Sequence, residues 1–243
     1  MDRMIYIGMA GAKMDMQRQE VMANNLANVS TTGFRAELHA VRAVPVRGDG
    51  ASTRVYALET TVGYDDGAGP ITATGRPLDV AVQGKSWLSV QALDGTEGYT
   101  RFGALTMDSE GVLKTQNGYT VLGDGGPINL PPNTEVTIAP DGTVSAKAAN
   151  GTVTPVGRLK LVTPENKLER GADGLFRSPD GDLPADANAR VQEGALEGSN
   201  VNPIETMISM ISASRQFETQ MRLMQTAEKD EQQAAQLLSN SSS

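Results

Sequence analysis

The chain contains no cysteine. That absence excludes disulfides, thiolate zinc sites and a cysteine nucleophile together, and it fits either a reducing or an oxidising compartment. Histidine is nearly absent too: the only one, His39, lies in a weakly patterned region where solvated surface is its expected setting. Aromatics make up 4 % of the residues, with a single tryptophan, so a core has to be built from Val, Leu, Ile, Ala and Met. No apolar run approaches the roughly 20 residues of a membrane span. Near the N-terminus Lys13, Asp15, Arg18 and Glu20 interrupt anything like the apolar core of a secretory signal peptide. On these absences alone the chain reads as cytoplasmic, without membrane insertion.

Basic residues are also in deficit, at 21 against 29 acidic ones for a net charge of −8. With no basic stripe to neutralise phosphates, nucleic acid is excluded as a partner. The acidity is local. Residues 61–198 carry a net −7, whereas 1–30, 31–60 and 199–243 carry 0, +1 and −2. There is no Gly-x-Ser-x-Gly, P-loop or dinucleotide fingerprint, and no Asp-x-Asn-x-Asp-Gly calcium loop. No catalytic residue, cofactor or metal ligand is therefore assigned.

What is present begins with two long helical patterns. From Met1 to about Asn28, Ile5, Met9, Ala12, Met16, Ala23 and Leu26 recur near one helical face. Asn24, Asn25 and Asn28 crowd the end of that helix, although asparagine competes for backbone hydrogen bonds and is a poor helix former. Such a density of amides suits a surface that satisfies the polar groups of a neighbouring chain. Gly33 and Phe34 read as a left-handed terminating turn, with the apolar residue folding back on the last turn of the helix. At the other end Asn202 before Pro203 marks a helix start. The helix carries Ile204, Met207, Ile208, Ile211, Phe217, Met221 and Met224 near one face, with Arg215 and Glu218 positioned to pair, and runs toward Leu238.

Between them the texture is β. Weak strand signals at 40–44 and 54–58 stand in a linker. From about Gly75 short runs follow at 78–82, 87–93, 99–107, 112–115, 119–122, 135–139, 143–146 and 153–163, separated by turn residues that include five Asp-Gly pairs. Residues 164–190 read as loops. The expected class is α+β: long N- and C-terminal helices forming an antiparallel coiled-coil-like pair, with a central antiparallel all-β domain. The divisions are 1–34 helical, 35–74 linker, 75–190 β domain and 191–243 helical.

Three blocks carry a resemblance. Ala23-Asn24-Asn25-Leu26-Ala27-Asn28-Val29-Ser30-Thr31-Thr32-Gly33-Phe34 closely resembles the signature near the N-terminus of flagellar basal-body rod, hook and hook-associated proteins. Thr74 to Gly84, Tyr99 to Gly103 and Asn117 to Gly123 resemble the central part of the same family, with Lys85-Ser86-Trp87-Leu88 as a local departure. Leu196, Glu197, Ser199, Asn200, Val201, Glu205, Met210-Ile211, Arg215, Phe217 and Glu218 fit its C-terminal block. The opening, Met1 to Tyr6, resembles proximal-rod members, with distal-rod members next.

The resemblance implies a structural subunit of the rod in the flagellar basal body, with other rod subunits and its own copies as partners in a helical assembly. It also implies passage through the flagellar type III export apparatus without a cleaved signal peptide. The assembly residues it points to are Ile5, Met9, Met16, Asn24, Asn25, Leu26, Asn28, Gly33, Phe34, Asn200, Met207, Ile211, Arg215, Phe217, Met221 and Met224. An alternative of another class, a secreted β-domain adhesin or carbohydrate-binding module, would not need two apolar terminal helices.

Overall fold

The computed structural model describes residues 2–45, 55–132, 134–148 and 151–240; the side chains of 2–7, 40–62, 231, 234–235 and 237–240, Ile5 among them, lie outside that description. The chain divides into two compact units, one made of 1–27, 37–64 and 202–243, the other of 28–36 and 65–201. The architecture is α+β: one long helix near each end of the chain, with antiparallel strands between.

The first unit holds helices α1 (Asp2–Ala27) and α2 (Pro203–Asn240) and a hairpin of β1 (Glu37–Pro45) and β2 (Val55–Tyr64). At 1.5 Å per residue the helices are about 39 and 57 Å long. The start of α2 is capped as its residues dictate: the Asn202 side chain accepts the N–H groups of Ile204 and Glu205, at 3.2 and 3.4 Å. The hairpin strands are longer than the pattern at 40–44 and 54–58 suggests. Among the described residues, no helix is long and apolar enough to cross a membrane.

Glycine inside a helix costs about 1 kcal/mol relative to alanine, so Gly8 and Gly11 in α1 need a reason. The reason is close approach. A Cβ on Gly8 would lie 2.9 Å from Met224 Cγ, and one on Gly11 would lie 3.2 Å from Gln220 Nε2. Along α1 one covered row runs through Gly8, Ala12, Asp15, Gln19, Met22 and Leu26; along α2 one runs through Thr206, Met210, Ala213, Phe217, Gln220, Met224 and Ala227. Both rows advance in alternating steps of four and three.

This corrects the expectation of one apolar face per helix. Met9 and Met16 are 55 % and 51 % exposed, on a flank beside the covered row of α1. On α2, Ile204, Met207, Ile208 and Ile211 point away from the covered row and are 49–69 % exposed. The apolar stripe is wider than the seam that small residues such as Gly8 and Ala12 can cover. Ten of the eleven methionines lie in residues 1–22 and 207–224, whereas the β core uses Val, Leu and Ile.

The second unit is built from short strands. They are β3 (Ile71–Ala73), β4 (Val80–Val82), β5 (Trp87–Gln91), β6 (Glu97–Thr100), β7 (Leu105–Met107), β8 (Leu113–Thr115), β9 (Thr120–Gly123), β10 (Gly126–Pro127) and β11 (Glu135–Ile138). There follow β12 (Thr143–Lys147), β13 (Val153–Arg158), β14 (Leu161–Val162), β15 (Glu169–Arg170), β16 (Phe176–Arg177), β17 (Val191–Glu193) and β18 (Ala195–Glu197). The main sheet runs β15-β16-β6-β5-β9-β8-β7, with β10 on β9 and β14 on β5; β11-β12-β13 form a three-stranded sheet. Val80, Leu88, Val90, Leu105, Leu113 and Val121 in its core have no exposed surface.

Four features depart from the pattern-based reading. The run 99–107 breaks into β6 and β7, and 153–163 breaks into β13 and β14. The supposed loops at 164–190 contain the β15–β16 hairpin, which extends the main sheet. Residues 191–197, expected to lead into the last helix, form β17 and β18, which pair with β4 and β3.

Candidate functional site

Two buried arginines of the second unit converge on one carboxylate. In β18, Ala195 and Glu197 alternate onto the covered side, leaving Glu197 only 1 % exposed. A buried carboxylate needs cations and N–H donors, and Glu197 has both. Its Oε1 lies 2.8 Å from Arg35 Nη2 and accepts the Gly69 N–H at 2.9 Å. Its Oε2 accepts Arg101 Nε at 2.8 Å and lies 2.7 Å from Arg101 Nη2. Arg35 and Arg101 are 3 % and 2 % exposed, so the cluster is sealed. Arg35 also donates to the Gly67 carbonyl, and Arg101 to that of Ser86. Burial pulls the Arg101 pKa down from the usual arginine value, and Glu197 opposes that shift.

Around this node the end of the N-terminal signature meets the C-terminal block. Gly33 donates its N–H to the Glu197 carbonyl at 2.7 Å. Its φ of +67° and the Arg101–Phe102 peptide against its Cα leave no room for a side chain. Asn200 accepts the Ala36 N–H at 2.7 Å and donates to the carbonyls of Asp65 and Gly67, at 3.0 and 2.9 Å. Gly33 thus stands six residues beyond the last residue of α1 and serves a separate turn. Phe34, 5 % exposed, lies under the Arg170 guanidinium, 4.5 Å from the ring centroid. Neither acts as the helix cap expected from the pattern. A cavity of about 210 Å³ beside them is lined by Asn28, Thr31, Gly33, Phe34, Tyr119 and Arg170 among others.

In the first unit Asn25 performs a similar service. Its amide donates to the Glu37 carbonyl at 3.0 Å and accepts the Glu37 N–H at 2.8 Å, holding the start of β1 as a neighbouring strand would. The amides of Asn25 and Asn200 are therefore engaged within the chain. Asn24, Met9, Met16, Met207, Ile211, Arg215 and Met221 are exposed; Leu26, Asn28, Phe217 and Met224 are half-buried. His39 is half-buried in β1 and not the fully solvated residue expected.

The roles of Arg35, Arg101 and Asp15 were not read from the sequence. Arg35 carried a signal, as the charged residue directly after the Gly-Phe turn. Glu197 carried another, as an acidic residue in register with the small, covered Ala195.

The comparisons with known proteins follow the same blocks. The family model described as "Flagella basal body rod protein" matches residues 5–35, "Flagellar hook protein FlgE/F/G D1 domain" matches 81–146, and "Flagellar basal body rod FlgEFG protein C-terminal" matches 192–237. The chain is 48 % identical to the flagellar basal-body rod protein FlgF of Salmonella typhimurium, over 99 % of this chain and 100 % of that protein. It is 47 % identical to FlgF of Escherichia coli over the same shares. To the rod protein FlgG of Agrobacterium fabrum it is 31 % identical, over 91 % of this chain and 95 % of that protein. With both helices, the β unit and the junction around Glu197 all inside these matches, the chain belongs to the flagellar basal-body rod protein family.

Proposed function

We propose that this chain is a subunit of the proximal part of the rod, and that it polymerises through its terminal helices into the torque-transmitting shaft. Its role as a structural subunit of the basal-body rod, and not an enzyme, follows from its family. The proximal position rests on one observation: identity of 47–48 % to FlgF of Salmonella typhimurium and Escherichia coli against 31 % to FlgG, although two further FlgF relatives stand at 36 % and 32 %. A distal-rod place is the competing reading within the family.

In this reading α1 and α2 pair as an antiparallel coiled-coil-like unit, which the Gly8–Met224 and Gly11–Gln220 approaches support by running in opposite chain directions. The exposed flank of Met9 and Met16 and the outward row Ile204, Met207, Ile208 and Ile211 are then the surfaces other subunits cover. A head-to-tail contact that does not close generates a helical tube. The chain reaches the rod through the flagellar type III export apparatus, without a cleaved signal peptide. Long helices with apolar side chains left uncovered are marginal in water, so both terminal segments of the purified monomer are cut first by a protease.

The test is mass spectrometry of purified hook-basal bodies from wild type and from a strain lacking this chain. Recovery with the rod, and arrest before the distal rod in the deletion strain, fits the proposal. Absence from the particles with intact motility removes it. Arrest only after the proximal rod is complete moves the chain to the distal rod.

A further inference from the structure

The covered row of α1 contains one residue that does not belong in an apolar seam. Asp15 is 5 % exposed, and its Oδ2 has no hydrogen-bond partner. Carrying the Gly8–Met224 register along the helices puts Asp15 level with Phe217, which offers no donor. The charged and titratable groups with described side chains on the elements packed with α1 are Lys13, Arg18 and Glu20 on α1 itself, Glu205, Arg215, Glu218, Arg222, Glu228, Lys229 and Asp230 on α2, Glu37 and His39 on β1, and Tyr64 on β2. None of these is ion-paired or hydrogen-bonded to Asp15. Burial raises the Asp15 pKa above the usual carboxylate value, and Arg18 only partly offsets it.

A buried carboxylate without donors weakens whatever packing buries it. We propose that Asp15 is an unfinished contact: it holds the lone chain's helix pair below its full stability until a neighbouring subunit supplies a basic side chain to the carboxylate. The inference rests on the rod-subunit reading for the identity of the neighbour. Its first half, the cost in the lone chain, does not depend on that reading.

The chemistry selects a cation because Oδ2 lacks a donor and Arg18 offsets the buried charge only in part; a guanidinium meets both needs with one group.

The sign of the pH dependence follows from the raised pKa. The helix pair is most stable when Asp15 is protonated, below the ordinary value of 3.8, and that advantage is lost as pH rises through the raised pKa. The lone chain carries the full penalty where the carboxylate is ionised, above the raised pKa.

The experiment uses the full-length chain with Asp15→Leu and Asp15→Asn beside wild type, in two measurements. Far-ultraviolet circular dichroism of the monomer gives helix content from pH 7 down to pH 4. Recovery in hook-basal bodies of a complemented deletion strain gives assembly. The expected pattern has opposite signs. Both variants are more helical than wild type at pH 7, wild type closes the gap on acidification, and recovery of both variants in the particles falls about tenfold. A monomer no more helical after substitution shows that the carboxylate costs nothing. Undiminished assembly of a more helical variant shows that no neighbour uses Asp15. Either result overturns the proposal, whereas failure of wild type to enter the particles overturns the rod reading instead.

Discussion

Replacing Glu197 by glutamine removes one charge and leaves two buried guanidinium groups facing each other. The size of the effect follows from the contacts. Oε2 serves both Nε and Nη2 of Arg101, while Oε1 serves Arg35 and the Gly69 N–H. Glutamine has one oxygen, so whichever way its amide turns, an NH₂ group meets donors. Breaking a buried pair by removing one partner costs about 3–5 kcal/mol. A domain's whole stability is about 5–15 kcal/mol.

The readout is Trp87, the only tryptophan, 4 % exposed and 4.7 Å from the Phe176 ring. With a urea slope of about 1–3 kcal/mol per molar, Glu197→Gln should lower the unfolding midpoint by about 1–5 M. By the scaling for 150–250 residues the melting temperature should fall by about 6–20 °C. A fall below about 0.5 M with the native spectrum retained would refute the reasoning. The triple variant Arg35→Met, Glu197→Leu, Arg101→Met should recover most of the loss, because the penalty belongs to unpaired charge and not to the absence of the triad.

Acid acts on the β unit with the opposite sign from its effect at Asp15. Asp94, Asp108, Asp141, Asp173 and Asp186 all sit below the usual carboxylate value; the leading cause is a hydrogen bond from Thr96, Lys114, Thr143, Arg177 and Thr163 respectively. Their stabilisation is complete above the ordinary value of 3.8 and drains away as pH falls through the lowered ones, so the Trp87 urea midpoint should be flat from pH 7 to 5 and drop toward pH 2. Gly8→Leu should cost the helix pair about 1–3 kcal/mol by driving a side chain into Met224, read as lost helix content or lost motility. Met224→Ala should restore part of it; strictly additive effects would mean the two positions do not meet. Asn200→Ala should cost the β unit about 1–3 kcal/mol, since three hydrogen bonds lose their partner, and Asn200→Asp should fail to rescue because a carboxylate cannot donate to the carbonyls of Asp65 and Gly67.

The helices were legible because their signals are local and long: apolar residues recur over 26 and 38 residues, and Asn202-Pro203 announces the second start. Hairpin turns were legible for the same reason, as at Asp94-Gly95, where Gly95 takes φ +84°. What escaped depends on distant partners. Residues 191–197 look like a charged approach to a helix, and become strands only because β4 and β3 wait more than a hundred residues upstream. The run 99–107 alternates like a single strand, but Arg101 is drawn inward to Glu197 and Gly103 abuts the Val80 carbonyl, which breaks it. The amide density at 24–28 was visible as an anomaly. Its resolution in Asn25 lay twelve residues ahead, at Glu37.

The node at Glu197 also has a temporal consequence. Arg35 and Glu197 are 162 positions apart, so the ion pair that stabilises the β unit closes one of the longest loops in it. A chain that ends or stalls before residue 197 holds two guanidinium groups with no counter-charge, and its strands assemble around a repulsion. Completion of the polypeptide is thereby made a condition of folding: fragments stay pliable, and rigidity arrives late and all at once.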